Sequence, residues 1–600
     1  MFRKPKTSDV TTSLQRFSDV HRDTTSRAKH FKLALESLCV QEKRQLVDDY
    51  SFETFHLVDS LLLQADLSST DSPTALDAEN ALWTLEQVLC LAPELVGKGW
   101  QRNAIELALK KALCPQNMLA VRKFAIRLFI MWYQSLAAFN NATPELDTVF
   151  QSLLPYFPLR NGKNSEDIIQ RYCDGSMPSN GTGPTPARVM PLIPNSAGNM
   201  QPNLKERAQI LQIYLDKFFD YCTRETMRIE WHDETRRFEC ARFLLDRVIS
   251  LYIAEIFDDL EGNGIDVFGG WEGTADTIAV LDTADPVVIA RYWIIRWMTN
   301  IASAQLNESS PGFKLFRKAM FASQKPTNTL LTLMREAMLL PLACSNVINK
   351  VLILIRYWLL QTEFPPFVET GAVTLESSSL LLIHLATSFF HSSYLKSAGD
   401  RLQSAVQLTN FILQIARDLA NPTNVLSRPL PSSVWSELVR RVAAAVAACC
   451  TRSDAYSRAT AGGFTLTLLG LCVFVCAIRE VELEEKMWDE VMSVFRAGSW
   501  TQMTEQWSRV VDSVTRALIL NLFAIDVSPN AASVVQKEEP ATAARIRERC
   551  DTNTVSVSGA GDSASYDDIS GHDDSESAQS MEDCDIQSVV QVCINGISAV

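Results

Sequence analysis

Apolar residues recur along this chain with the period of an α-helix. Val121, Phe124, Ala125, Leu128, Phe129 and Trp132 fall at i, i+3, i+4, i+7, i+8 and i+11, while Arg122, Lys123 and Arg127 stand off that stripe. The spacing predicts a helix that buries Phe124 and Trp132 against its neighbours. Upstream, Ile105, Ala108, Leu109 and Ala112 repeat the pattern, and Pro115 marks a stop. Leu82, Leu85 and Leu89 mark a third helix. Only a few residues separate these three segments, so they are expected to pack as antiparallel neighbours.

The same period returns at Leu244, Val248, Leu251 and Tyr252. Asp285-Pro286 reads as an N-cap followed by a first-turn proline, ahead of the tryptophan-rich stretch Val287 to Met298. Trp488, Val491, Met492 and Phe495 precede Gly498, and Trp507, Val510, Val511, Val514 and Leu518 form the last clear stripe. No run alternates with the period of a strand. Short helices in series without a strict repeat motif predict an all-α, irregular α-solenoid of HEAT- or armadillo-like helix pairs.

The pattern breaks in two places. From Asp174 to Asn203 there are six prolines and four glycines, the composition of a linker or long surface loop. From about Ser528 the periodicity is lost, and the chain becomes rich in serine and aspartate. The expected organisation is therefore a helical region over 1–160, a disordered linker over 161–203, a second helical region over 204–526 and a disordered acidic tail over 527–600. The first thirty-two residues, with eight basic and three acidic side chains, are expected to be partly frayed.

Charge sharpens this division. The net charge is −14, and ten acids without a single lysine or arginine lie between Asp551 and Val600, so most of the acidity belongs to the tail. That balance argues against a general nucleic-acid binder. The start, Met1-Phe2-Arg3-Lys4-Pro5-Lys6, lacks the apolar core of a signal peptide, and Phe2 excludes myristoylation. Fourteen scattered cysteines without a CxxC pair suit a reducing, cytoplasmic compartment, and the sequons at Asn141, Asn180 and Asn307 need a secreted context to matter. Ala459 to Ile478 carries no charge over twenty residues, long enough to span a bilayer. Gly462, Gly463, Gly470 and three threonines make a buried helix of a large stack the favoured reading, with a membrane span as the alternative.

A search for reaction chemistry returns little. Gly262-Asn263-Gly264 opens like a dinucleotide-binding turn, but Val267 stands where the third glycine belongs. Gly264 and Gly269 have phosphate-loop spacing, yet Gly270 and Trp271 occupy the positions of its lysine and hydroxyl residue. His232, Asp233 and Glu234 are consecutive and diverge on a helix, and His384 and His391 stand about 10 Å apart along one. No catalytic residue, metal ligand or cofactor-binding residue is assigned, and no cofactor is expected. Twelve tryptophans, among them Trp83, Trp132, Trp293, Trp297 and Trp358 in helical segments, are read as core packing. Ser565, Ser570 and Ser580 each precede an acid by three residues and are candidate sites for acidophilic kinases.

Several of these segments resemble one family. Lys4-Pro5, the run from Ser26 to Glu36, and Trp100-Gln-Arg-Asn-Ala-Ile through Leu113 are similar to the start of the α-subunits of Ral GTPase-activating protein complexes. The stretch from Val121 to Trp132 continues that similarity. Trp488-Asp-Glu-Val, Trp500, and Gln506-Trp507 leading to Thr515-Arg-Ala-Leu518 resemble the family's later, tuberin-related helical region. The resemblance implies a long helical scaffold that forms a heterodimer with a β-subunit and serves GTP hydrolysis on Ral-type small GTPases. In that family an asparagine in a His-Ile/Leu-Gly-Asn-Asp context reaches the nucleotide. Here Gly198-Asn199 and Gly262-Asn263 do not match that context, so no catalytic residue carries over and the expected role is positioning and partner binding. A GTPase-independent α-solenoid adaptor for trafficking or assembly remains the second reading.

Overall fold

The helices begin where local chemistry supplies their free amides with acceptors. Asp285 Oδ1 accepts from Val287 N at 2.7 Å ahead of Pro286, as its position before a proline predicts. Asn203 and Glu206 form a reciprocal capping box, each side chain accepting from the other's backbone N–H at 2.9 Å, and it opens a 25-residue helix. Asp23 caps the second helix through Ser26 N at 2.9 Å.

A computed structural model describes residues 7–67, 73–175, 189–194, 202–257, 284–305, 310–361, 363–371, 373–391, 395, 399–420, 430–450 and 455–461, with isolated positions from 473 to 525. Among them there is no strand; Asn117 and Pro194 make a single antiparallel bridge. The chain is all-α, as its periodicity predicts. It divides into two units, Met1–Ser397 and Ala398–Val600.

In the first unit α1 (Thr7–Ser18) and α2 (Thr24–Ser37) pair, followed by α3 (Val40–Asp49), α4 (Ser51–Leu67) and α5 (Pro73–Leu91). The short α6 (Pro93–Gly97) and α7 (Arg102–Leu113) lead to α8 (Leu119–Ala137), on which α5, α6 and α7 all pack. Then come α9 (Pro144–Gln151), α10 (Ser165–Cys173), α11 (Leu204–Arg228) and α12 (Thr235–Val248), which runs on into a π-helical turn, Ile249–Ile253. After them stand α13 (Pro286–Ala302), α14 (Pro311–Met320), α15 (Gln324–Met338), α16 (Ser345–Leu360) and α17 (Leu375–Thr387).

The packing is serial. Helices α5, α8, α11, α13, α16 and α17 each touch the next, forming one continuous layer. Helices α7, α12, α14 and α15 pack against that layer: α7 lies on α8, α12 and α14 on α11, and α14 and α15 on α13. Such nearest-neighbour layering is solenoid-like. The deepest core is aromatic: Tyr133 stacks on Phe150 at 5.1 Å, and Tyr252 meets Phe150 at 5.5 Å and Phe218 at 5.0 Å. The Tyr252 hydroxyl, carried by the π-helical turn, donates to the Phe150 carbonyl.

Three expectations need correction. The N-terminus is not frayed from Thr7 onward: Phe17 and Phe31 are fully buried and stacked at 4.7 Å, and the buried Arg27 side chain donates to Phe17 O at 2.9 Å. The segment 161–203 contains α10, and at its far end Ile193 N donates to Asn117 Oδ1 at 2.7 Å, with Leu192 buried. The high proline and glycine content hid these anchors, because one asparagine can pin a loop without any periodic signal. Phe124 is only half-buried, under the Arg127 guanidinium at 4.7 Å from its ring, whereas Trp132 is fully enclosed.

In the second unit α18 (Leu402–Ala420), α19 (Ser432–Cys450) and α20 (Ala455–Ala461) pack on one another, with Thr409 Oγ1 and Tyr456 OH at 2.7 Å inside. One helical stretch among the described residues, Leu342–Leu360, is long and apolar enough to cross a membrane, and Val347, Val351, Ile355 and Trp358 on it are buried against neighbours. Most of Ala459 to Ile478, the glycine cluster after Gly262, the tryptophans at 488 and 507 and the tail with Ser565, Ser570 and Ser580 lie outside the described residues.

Candidate interaction face

Buried charge joins α5, α8 and α11 of the layer, and ties α10 to α8 and α15 to α13. Glu225 of α11 has no exposed side-chain surface, and Glu86 of α5 has 4%. Glu225 meets Arg127 of α8 at 3.3 Å and Arg228 at 2.9 Å, and both arginines also pair with Glu86. The two carboxylates and two guanidiniums compensate one another, which is the condition for burying them. Three helices are thereby held in register by one network. A second lock joins α8 to α10: Arg122 Nη2 donates to Glu166 Oε1 at 2.7 Å, beside the Tyr214 ring. Burial opposes the charge on Arg122, and the Glu166 carboxylate more than offsets it, holding the guanidinium above its ordinary range. Between α13 and α15, Glu336 receives Arg291 at 3.0 Å and Arg335 at 3.1 Å.

With the layer fixed, its outer side presents a row of aromatic and charged side chains. Lys123 and Phe124 stand on α8, with Lys123 5.9 Å from the Tyr214 ring of α11. Along α11 follow Asp216, Lys217, Asp220 and Arg224, paired within the helix at 2.9 Å for Lys217 with Asp216 and 3.3 Å for Arg224 with Asp220. On α13 the Trp293 ring carries the Arg296 guanidinium at 4.6 Å. Lys350 on α16 reaches Asn300 Oδ1 at 3.5 Å. Asp216, Phe219, Asp220, Trp293, Arg296, Trp297, Asn300 and Phe313 enclose a cleft of about 330 Å³ between α11, α13 and α14. Such a face suits protein recognition: aromatic and arginine side chains in a concave seat, ringed by charge.

The sequence-level candidates fall elsewhere. His232 N donates to Glu94 Oε1 at 2.8 Å, and Asp233 accepts from Thr235 N at 3.0 Å, so this acidic-histidine run builds the turn into α12. His384 is buried in α17. No group of three potential ligand residues among the described residues is arranged to hold a metal ion. Trp293 is the residue that pattern reading misplaced. It lies off the Ile294, Trp297, Met298 and Ile301 stripe of α13 and lines the cleft instead of the core, and that phase offset was the signal available.

Comparison with known proteins bears on these same helices. Residues 1–239 match the family model described as the RALGAPA1 N-terminal domain, a span from the N-terminus through the start of α12. Human Ral GTPase-activating protein subunit alpha-1 is 20% identical over 88% of this chain and 34% of its own length. The pig protein of that name is 26% identical over 50% of this chain and 92% of its own length. Rat Ral GTPase-activating protein subunit alpha-2 is 21% identical over 71% of this chain and 22% of its own length. The chain thus spans about a third of the human relative. No solved structure matches it.

Proposed function

We propose that this chain is a member of the Ral GTPase-activating protein α-subunit family and, on that premise, a helical scaffold of a Ral-directed GTPase-activating complex. Its work is to bind a β-subunit and to hold catalytic machinery in place, without contributing a catalytic residue of its own. Ral-type small GTPases are engaged indirectly, and the compartment is the cytoplasm. The observation that carries this reading is the family's N-terminal domain laid over residues 1–239. The charge-locked layer supports it physically. A network of buried ion pairs joining three successive helices resists sliding between them, as a positioning element must.

The reading is tested by single-turnover GTP hydrolysis on a purified Ral-type GTPase. Adding this chain alone is expected to leave the intrinsic rate unchanged at micromolar concentration. A dose-dependent acceleration would mean that a residue of this chain reaches the nucleotide, and the scaffold-only reading would be abandoned.

A further inference from the structure

Arg296 and Lys350 are the unusual pair on the outer face of the layer. Among the described residues neither has a carboxylate within 4 Å, whereas Asp216 and Asp220 across the cleft are already matched by Lys217 and Arg224. Arg296 lies over the Trp293 ring, and Lys350 reaches the neutral Asn300 side chain. The two cations also feel each other: partial burial first, and then the charge of Arg296, push the Lys350 ammonium below its ordinary range. Uncompensated, mutually repelling cations beside a seat walled by Trp293, Trp297, Phe219 and Phe313 form a site with two complementary halves. One half favours a carboxylate, and the other favours an apolar or aromatic side chain.

We propose that this cleft between α11, α13 and α14 is a docking site for an acidic peptide segment of a partner protein. One apolar or aromatic side chain of that segment seats against Trp293 and Phe313, and a flanking carboxylate bridges Arg296 and Lys350. The volume of about 330 Å³ matches one large side chain and its neighbouring backbone, not a folded domain. Because Asp216 and Asp220 are matched by Lys217 and Arg224, the charge left over at the cleft and its edge is that of Arg296 and Lys350, and it selects the sign of the partner. The inference does not depend on the GTPase reading, since it rests on the charge and shape of this cleft alone.

The test uses the full chain and a fluorescein-labelled twelve-residue peptide of glutamate, serine and glycine with one central tryptophan, read by polarisation. A companion peptide carries lysine in place of every glutamate. The acidic peptide is expected to bind, and to weaken by about tenfold or more with Lys350→Glu or Arg296→Glu. Affinity should fall steeply between 50 and about 200 mM salt, roughly by the same factor. Lys350 is exposed on α16, so Lys350→Glu keeps the fold, and unchanged helical circular dichroism verifies this. Trp293→Ala should weaken binding with little change in its salt dependence. Equal binding of the acidic and basic peptides, no binding of the acidic one, or indifference to Lys350→Glu and Arg296→Glu would each overturn the proposal.

Discussion

Glu225 shows how one side chain can set the geometry of three helices. Its carboxylate is wholly buried and touches Arg127, Arg228 and, at 3.1 Å, Arg224. Glu225→Gln removes the charge but keeps the shape, leaving two partly exposed guanidiniums to share Glu86. The expected cost is about 1–3 kcal/mol in denaturant unfolding, because charge-assisted hydrogen bonds to a buried carboxylate are lost while the partly exposed arginines keep Glu86 and some hydration. Arg224→Ala, at a guanidinium 51% exposed, should cost less than about 1 kcal/mol. Equal effects from the two variants would show that the network is solvated. Trp132 and Phe124 make a second contrast on the same helix. Trp132→Ala is expected to lose about 3–5 kcal/mol, and Phe124→Ala, half-covered by Arg127, about 1 kcal/mol. The sequence stripe places both residues inward. It fails for Phe124 because periodicity locates a helical face but not which neighbour covers it, and an arginine lid leaves no apolar signal. The ion network was equally hidden: Arg127 stands off its stripe, and Glu86 and Glu225, as charged residues, carry no apolar mark of burial.

At the level of elements, helix existence was far more legible than helix contact. The stripes at 105–112 and 121–132 became α7 and α8, and Asp285-Pro286 caps α13, because burial and capping leave local marks. The π-helical turn at Ile249–Ile253 left none: the stripe through Leu244, Val248 and Tyr252 places Tyr252 inward, where it meets Phe218 at 5.0 Å, but nothing in that spacing marks the change of helical pitch. Gly312 is a similar case. Beside Pro311 it reads as turn punctuation, yet it sits at the start of α14 where the backbone of α11 comes very close. A Cβ added there would lie 2.6 Å from Thr223 O and 3.1 Å from Thr223 C. Backbone atoms cannot move aside as a flexible side chain could, so Gly312→Ala should destabilise by about 1–3 kcal/mol. A variant with unchanged thermal unfolding would show that the α11–α14 approach is looser. The capping box is a milder test of the same helix pair: Asn203→Ala should cost about 1 kcal/mol, and Asn203→Asp should retain most of the stability.

For the whole molecule, the fold class and the similarity to one family were both within reach of the sequence, for different physical reasons. The fold class followed from helical periodicity without strand alternation. The similarity followed from particular residues near Trp100 and Val121, inside the span that matches the RALGAPA1 N-terminal domain model. The interaction cleft was not legible, since a long stretch of chain separates α11 from α13 and α14, and the tryptophans at 293 and 297 read as core packing rather than as the wall of a cleft. A scaffold of this design acts through surfaces, so its central test is association. Sedimentation velocity on an equimolar mixture of this chain and a Ral GTPase-activating protein β-subunit, each at about 5 µM, measures it directly. The account predicts one faster boundary with the mass of a one-to-one complex and depletion of both free species. Two independent boundaries at the positions of the separate proteins would contradict it.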